Sequence, residues 1–132
     1  MYPEVLDTYR KVNEQFFGNP SSLHRLGNEA DALLQQSRKQ IAQLLGVHPD
    51  EIFFTSGGTE SDNWAIKGTA MEKFATGKHL IASSVEHPAV SKSLEQLGKL
   101  GFEITYLPVD ADGIVSVEEL GKAIRKDTIL VS

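Results

Sequence analysis

Short apolar runs alternate with amphipathic stretches from residue 51 onward, and this predicts an α/β fold: a three-layer arrangement of a mostly parallel sheet with flanking helices. Three observations carry it. Strand-like runs recur at 51–55, 79–83, 102–107 and 128–132. The stretches between them repeat apolar residues near a 3.6-residue period. Glycine or proline punctuates the changes of pattern, at Gly57-Gly58, Gly77, Pro88, Gly101 and Gly113.

The elements come in order. Residues 3–17 read as a helix, with Val5, Leu6, Tyr9, Val12 and Phe16 on one stripe and Pro3 tolerated in the first turn. Gly18-Asn19-Pro20-Ser21-Ser22 breaks it, and either serine is a suitable cap for the next helix. That long helix is expected over residues 23–45. Its stripe is Leu26, Ala30, Leu33, Leu34, Ser37, Ile41, Leu44 and Leu45, and Gly46 closes it. After the first strand at 51–55 and its glycine turn, a helix runs to about residue 74; a lysine at position 67 in it is expected to be solvated. The second strand, 79–83, leads through Glu86-His87-Pro88 into a helix ending near residue 100, with Pro88 suited to the first helical position. The third strand places Phe102, Ile104 and Tyr106 on one face. Ser116-Val117-Glu118-Glu119 has capping-box spacing and opens a helix ending near Arg125, before the fourth strand.

The stretch Phe53-Phe54-Thr55-Ser56-Gly57-Gly58-Thr59-Glu60 organises the rest. A strand that bends through Ser-Gly-Gly-Thr into a helix aims backbone N–H groups, hydroxyls and the positive end of a helix at one point. That suits a phosphate or another anion. Glycine permits close approach and unusual dihedrals; the competing explanation is that such turns carry glycine for steric reasons alone. In parallel sheets ligands gather at the carboxyl ends of the strands, where both this turn and Glu86-His87-Pro88 are expected. Glu60 and Asp62 suit the first turn of a helix whatever the function.

Composition bounds the partners. The chain has 132 residues, one ordinary domain in length, and its 40% hydrophobic and 23% charged content is that of a globular protein. A net charge of -5 argues against direct nucleic-acid binding and against an acidic membrane surface. With no cysteine there is no disulfide framework and no thiolate metal site. No apolar run approaches the roughly 20 residues of a membrane span, and the start shows no signal-peptide pattern; the expected location is cytoplasmic. His24, His48 and His79 lack metal-ligand spacing, so no metal is expected.

Five stretches carry a family resemblance. Phe17-Gly18-Asn19-Pro20-Ser21-Ser22-Leu23-His24, Phe54-Thr55-Ser56-Gly57-Gly58-Thr59-Glu60-Ser61-Asp62-Asn63 and Glu86-His87-Pro88-Ala89-Val90 resemble motifs of the cysteine desulfurases. So do Gly101-Phe102-Glu103-Ile104-Thr105-Tyr106-Leu107 and Asp127-Thr128-Ile129-Leu130-Val131-Ser132. These enzymes belong to the class V aminotransferase group of fold-type-I pyridoxal-phosphate enzymes. The resemblance covers essentially the whole chain, in order and at family spacing. It implies that Gly58 and Thr59 bind the phosphate of pyridoxal 5'-phosphate. It implies that His87 stacks on the cofactor ring and is a catalytic participant in proton transfer. An imidazole suits both tasks, being flat and titrating near neutrality. Asn19 and His24 match a loop at the substrate entrance.

The resemblance also sets expectations for the whole enzyme. Residues 1–22 correspond to an N-terminal helix and loop, an arm region. Residues 23–132 correspond to the N-terminal part of the large, cofactor-binding domain, truncated and incomplete. The family's Schiff-base lysine and sulfur-accepting cysteine have no counterpart here, so the chain is expected to be a fragment, inactive alone. The intact parent is expected to remove sulfur from L-cysteine, giving alanine and an enzyme persulfide, to act as a homodimer, and to pass sulfur to an iron–sulfur scaffold or a tRNA-thiolation enzyme. Two alternatives stay open: another class V enzyme, such as a selenocysteine lyase or an aminotransferase, and a non-catalytic phosphate-binding or interaction module.

Overall fold

The computed structural model describes residues 1–132, which divide into two compact units, Met1–Phe54 and Thr55–Ser132.

The first unit is helical. Helix α1 spans Pro3–Gln15, with proline in its first turn. Its apolar stripe is solvent-facing: Val5, Leu6 and Tyr9 are all exposed. Helix α2 spans Arg25–Leu45 and ends on Gly46 at φ 68, the left-handed conformation glycine adopts without strain. Its N-cap is His24, whose Nδ1 accepts the Gly27 N–H at 3.2 Å, and not one of the serines. The serines do not cap because the helix begins only at Arg25, so both lie before the cap position, in a turn that Asn19 closes. Its Oδ1 accepts the Ser21 N–H at 3.0 Å and its carbonyl accepts the Ser22 N–H at 2.9 Å. The expected stripe of α2 holds at Ala30, which is buried, but Ile41, Leu44 and Leu45 are exposed.

The run expected as a first strand is not one. Residues Pro49–Glu51 form a 3-10 turn capped by His48, Ile52 is extended, and residues 52–55 join no strand ladder. A strand exists only through its partner's hydrogen bonds. Here the Ile52 carbonyl instead accepts from the Arg38 guanidinium, which also lies 5.0 Å over the Phe54 ring.

The second unit is the α/β part. Its elements are α3 (Gly58–Glu72), β1 (His79–Ser83), α4 (Pro88–Lys99), β2 (Glu103–Leu107), α5 (Val117–Ala123) and β3 (Thr128–Val131). The sheet has three strands in the order β2-β1-β3, all parallel, so β1 is central. β1 alternates its side chains between the two faces. Leu80 and Ala82 meet Ile66 and Ala70 of α3 and Val90, Leu94 and Leu97 of α4, with Phe102 closing the cluster. This is the core of the unit, and it places α3 and α4 on one face of the sheet.

The amino edge of the sheet is tied shut. The His79 ring is 1% exposed and bridges both neighbours of β1: Nδ1 lies 2.7 Å from Thr128 Oγ1 and Nε2 lies 2.8 Å from Thr105 Oγ1. Burial, reinforced by the Arg125 charge, holds its pKa below the ordinary histidine value. Arg125 pairs with Glu103 at 2.7 Å and forks onto Asp127 at 3.0 and 3.1 Å. Gly77 sits against the same corner, and a Cβ there would fall 2.2 Å from the Asp127 carbonyl oxygen.

Candidate functional site

Two helices begin at the opposite, carboxyl edge. α3 runs into β1 through residues 73–78, and β1 runs into α4 through residues 84–87. Helices joined to one strand by short connections on either side both run antiparallel to it, and hence parallel to each other. The Lys67 ammonium donates to Gln96 Oε1 across the two helices, a 29-residue offset. The same offset sets Gly58 opposite His87. The two N-termini therefore both lie at the carboxyl end of the sheet. Lys67, expected to be merely solvated, is the bridge that reports this register.

The first N-terminus is open. Gly57 is the N-cap of α3 at φ 157, ψ -177, a region held almost only by glycine, and no side chain caps the helix. Its carbonyl accepts the N–H groups of Glu60 and Ser61, both at 3.1 Å, and the hydroxyls of Ser61 at 3.2 Å and Thr55 at 3.3 Å. The N–H groups of Gly58 and Thr59, in the first turn of the helix, have no acceptor. A Cβ built at Gly57 or Gly58 would meet nothing within 4 Å, so neither glycine is required by packing. Thr59 is exposed beside them.

The second N-terminus is closed by His87. Its Nδ1 accepts the Ala89 N–H at 3.1 Å, and Pro88 fills the first helical position. In the neutral ring this assigns the proton to Nε2, which is left free on an exposed side chain. One residue earlier, the Glu86 carboxylate accepts the Ser83 hydroxyl at 3.1 Å, fixing the loop to the end of β1.

The structure thus brings Gly58, Thr59 and His87 to one edge. Asn19 and His24 belong to the first unit, where one closes a turn and the other caps α2. Sequence reasoning gave Glu60 only a generic place in a first turn. It is the acceptor for the Ser56 N–H at 2.6 Å, and that bond holds its carboxyl below the usual carboxylate range. The signal was present as an acid at the third helical position, although the partner lies one residue before the cap.

An unblocked helix start with two free amides, a threonine hydroxyl and an exposed imidazole suits a planar molecule bearing a phosphate. The aminotransferase class-V model matches residues 1–132. A NifS/IcsS protein homolog of Lactobacillus delbrueckii subsp. bulgaricus is 58% identical over 132 residues, which is 100% of this chain and 34% of the relative. A cysteine desulfurase IscS of Dictyoglomus turgidum is 52% identical over 129 residues, 98% of this chain and 33% of that protein. Among solved structures, a NifS-like protein superposes with a TM-score of 0.91 at 39% identity, covering 99% of this chain and 36% of the other. SspA in complex with cysteine gives a TM-score of 0.87 at 38% identity, covering 99% and 38%. The chain spans about a third of the length of the curated relatives it matches. On the match of the family model along its full length, the chain belongs to the class-V aminotransferase family.

Proposed function

We propose that this chain supplies the phosphate-holding and ring-facing part of a pyridoxal-phosphate-dependent cysteine desulfurase, which takes sulfur from L-cysteine and leaves alanine. The observation that carries the reading is the pairing of the open α3 start with the His87-capped α4 start at one sheet edge. Gly58 and Thr59 would hold the phosphate through their N–H groups, with the Thr59 hydroxyl adding a third donor. The positive end of α3 favours the dianion. His87 would face the cofactor ring. Its Nδ1 is engaged with Ala89, so the ring is fixed in orientation and Nε2 is the atom that holds or passes a proton. When bound, pyridoxal phosphate supplies the electron sink for chemistry at the substrate's carbon atoms.

The sequence has no cysteine, so no residue of this chain can carry the transferred sulfur. Desulfuration by this chain alone is therefore not expected, while cofactor binding is. The cysteine bound in the SspA structure favours a cysteine substrate over other amino acids. A sulfur-accepting protein and a second copy of the whole enzyme complete the proposal. The test is a titration of the chain with pyridoxal phosphate and with pyridoxal, followed by visible absorbance. Saturable binding of the phosphate form, much tighter than the unphosphorylated form, is the expected result. Equal or absent binding of the two overturns the reading.

A further inference from the structure

The Ser56–Thr59 turn has a feature that packing does not explain. Neither Gly57 nor Gly58 is pressed by a neighbour, since an added Cβ meets nothing within 4 Å at either. The bend carries several hydrogen bonds of its own. The shortest of these is the 2.6 Å bond from the Ser56 N–H to Glu60 Oε2. It spans the bend from the residue before Gly57 to the first turn of α3, so it fixes the direction in which the Gly58 and Thr59 amides point. Ser61 and Thr55 reach only the carbonyls of the turn. Glu60 alone engages an N–H on the amino-terminal side of it.

We propose that Glu60 is a positioning residue for the anion-binding turn: its carboxylate closes the bend by accepting the Ser56 N–H and keeps the Gly58 and Thr59 amides aimed together. This rests on the reading of the turn as a phosphate site. The carboxylate is an unexpected neighbour for a phosphate, because like charges repel. Its placement makes sense if the hydrogen bond contributes more to affinity than the charge removes. A glutamine keeps the accepting oxygen and loses the charge. Glu60→Gln and Glu60→Ala therefore separate positioning from charge.

The experiment measures affinity for pyridoxal phosphate and for pyridoxal with the full chain and both variants, beside the Ser56 amide signal in a pH titration. Glu60→Ala is expected to lose about tenfold in affinity for pyridoxal phosphate, the scale of a hydrogen bond to a charged group. Affinity for pyridoxal should not change. Glu60→Gln is expected to bind pyridoxal phosphate at least as well as the parent chain. The Ser56 amide shift should track the Glu60 carboxyl on acidification in the parent chain, and this response should vanish in Glu60→Gln. Three results overturn the proposal: parent affinity in Glu60→Ala, tighter binding by Glu60→Ala than by Glu60→Gln, or a Ser56 amide indifferent to the carboxyl. A parent chain that does not distinguish pyridoxal phosphate from pyridoxal sinks the site reading itself, and this inference with it. Parent binding with unaltered Glu60→Ala sinks the inference alone.

Discussion

β1 has a histidine at its amino end and another four residues past its carboxyl end. His79 is buried and both ring nitrogens are taken by threonine hydroxyls on the flanking strands. His87 is exposed, with one nitrogen taken by its own helix and the other free. The glycines repeat the contrast. Gly77, at the amino edge, has a backbone carbonyl where a Cβ would stand; Gly58, at the carboxyl edge, has open space. One edge is closed and holds the sheet together. The other keeps donors unused, at some loss of stability, and unused donors are what a ligand needs.

The same substitution at the two glycines should therefore act in opposite ways. Gly77→Ala drives a Cβ into the Asp127 carbonyl and is expected to destabilise the second unit by about 3 kcal/mol, read as a lower urea midpoint. A midpoint equal to that of the parent chain would show that the amino edge is looser than its contacts imply.

His79→Ala comes next, at about 2 kcal/mol, because it leaves a cavity and two threonine hydroxyls without their partner. The pH dependence has a definite sign. The folded pKa of His79 lies below its ordinary 6.5, so between the two values the unfolded chain binds the extra proton. Stability is complete above pH 6.5 and falls as the pH drops from there toward the folded value. Unfolding midpoints compared on both sides of the ordinary histidine pKa should show this fall in the parent chain and a smaller one in His79→Ala. An identical slope in both would assign the effect elsewhere.

Gly58→Ala should have the smallest effect on folding, within about 0.5 kcal/mol, since alanine is accommodated by helix and space alike. On the proposed reading it should nevertheless weaken pyridoxal phosphate binding, because the added methyl group stands beside the amides assigned to the phosphate. A variant that binds normally would place the ligand away from this turn.

Much of this arrangement was legible in the residues. The apolar runs at 79–83, 102–107 and 128–132 pointed to the parallel sheet, and the glycine bend was visible in its own composition. Gly46 and Ser116 announced a helix end and a helix start, and both hold. The misreadings share a cause: each concerned a partner that local pattern does not name. Residues 52–55 have strand composition but no strand beside them. His24 is the cap because the helix starts at Arg25, past the turn that Asn19 closes onto the serine N–H groups. The Lys67–Gln96 bridge joins positions on different helices, so no single-helix pattern could show it. The apolar residues at the end of α2 fit the helical period and are still exposed, since period fixes a stripe and not what covers it.

The most direct test of the contrast between the two edges is a backbone and side-chain NMR titration of the chain with pyridoxal phosphate. The Gly58 and Thr59 amides and the His87 ring should shift together and saturate at one ligand concentration, while the His79 ring and Thr128 stay still. Shifts confined to the His79 edge, or none at Gly58 and Thr59 at saturating ligand, would contradict the account.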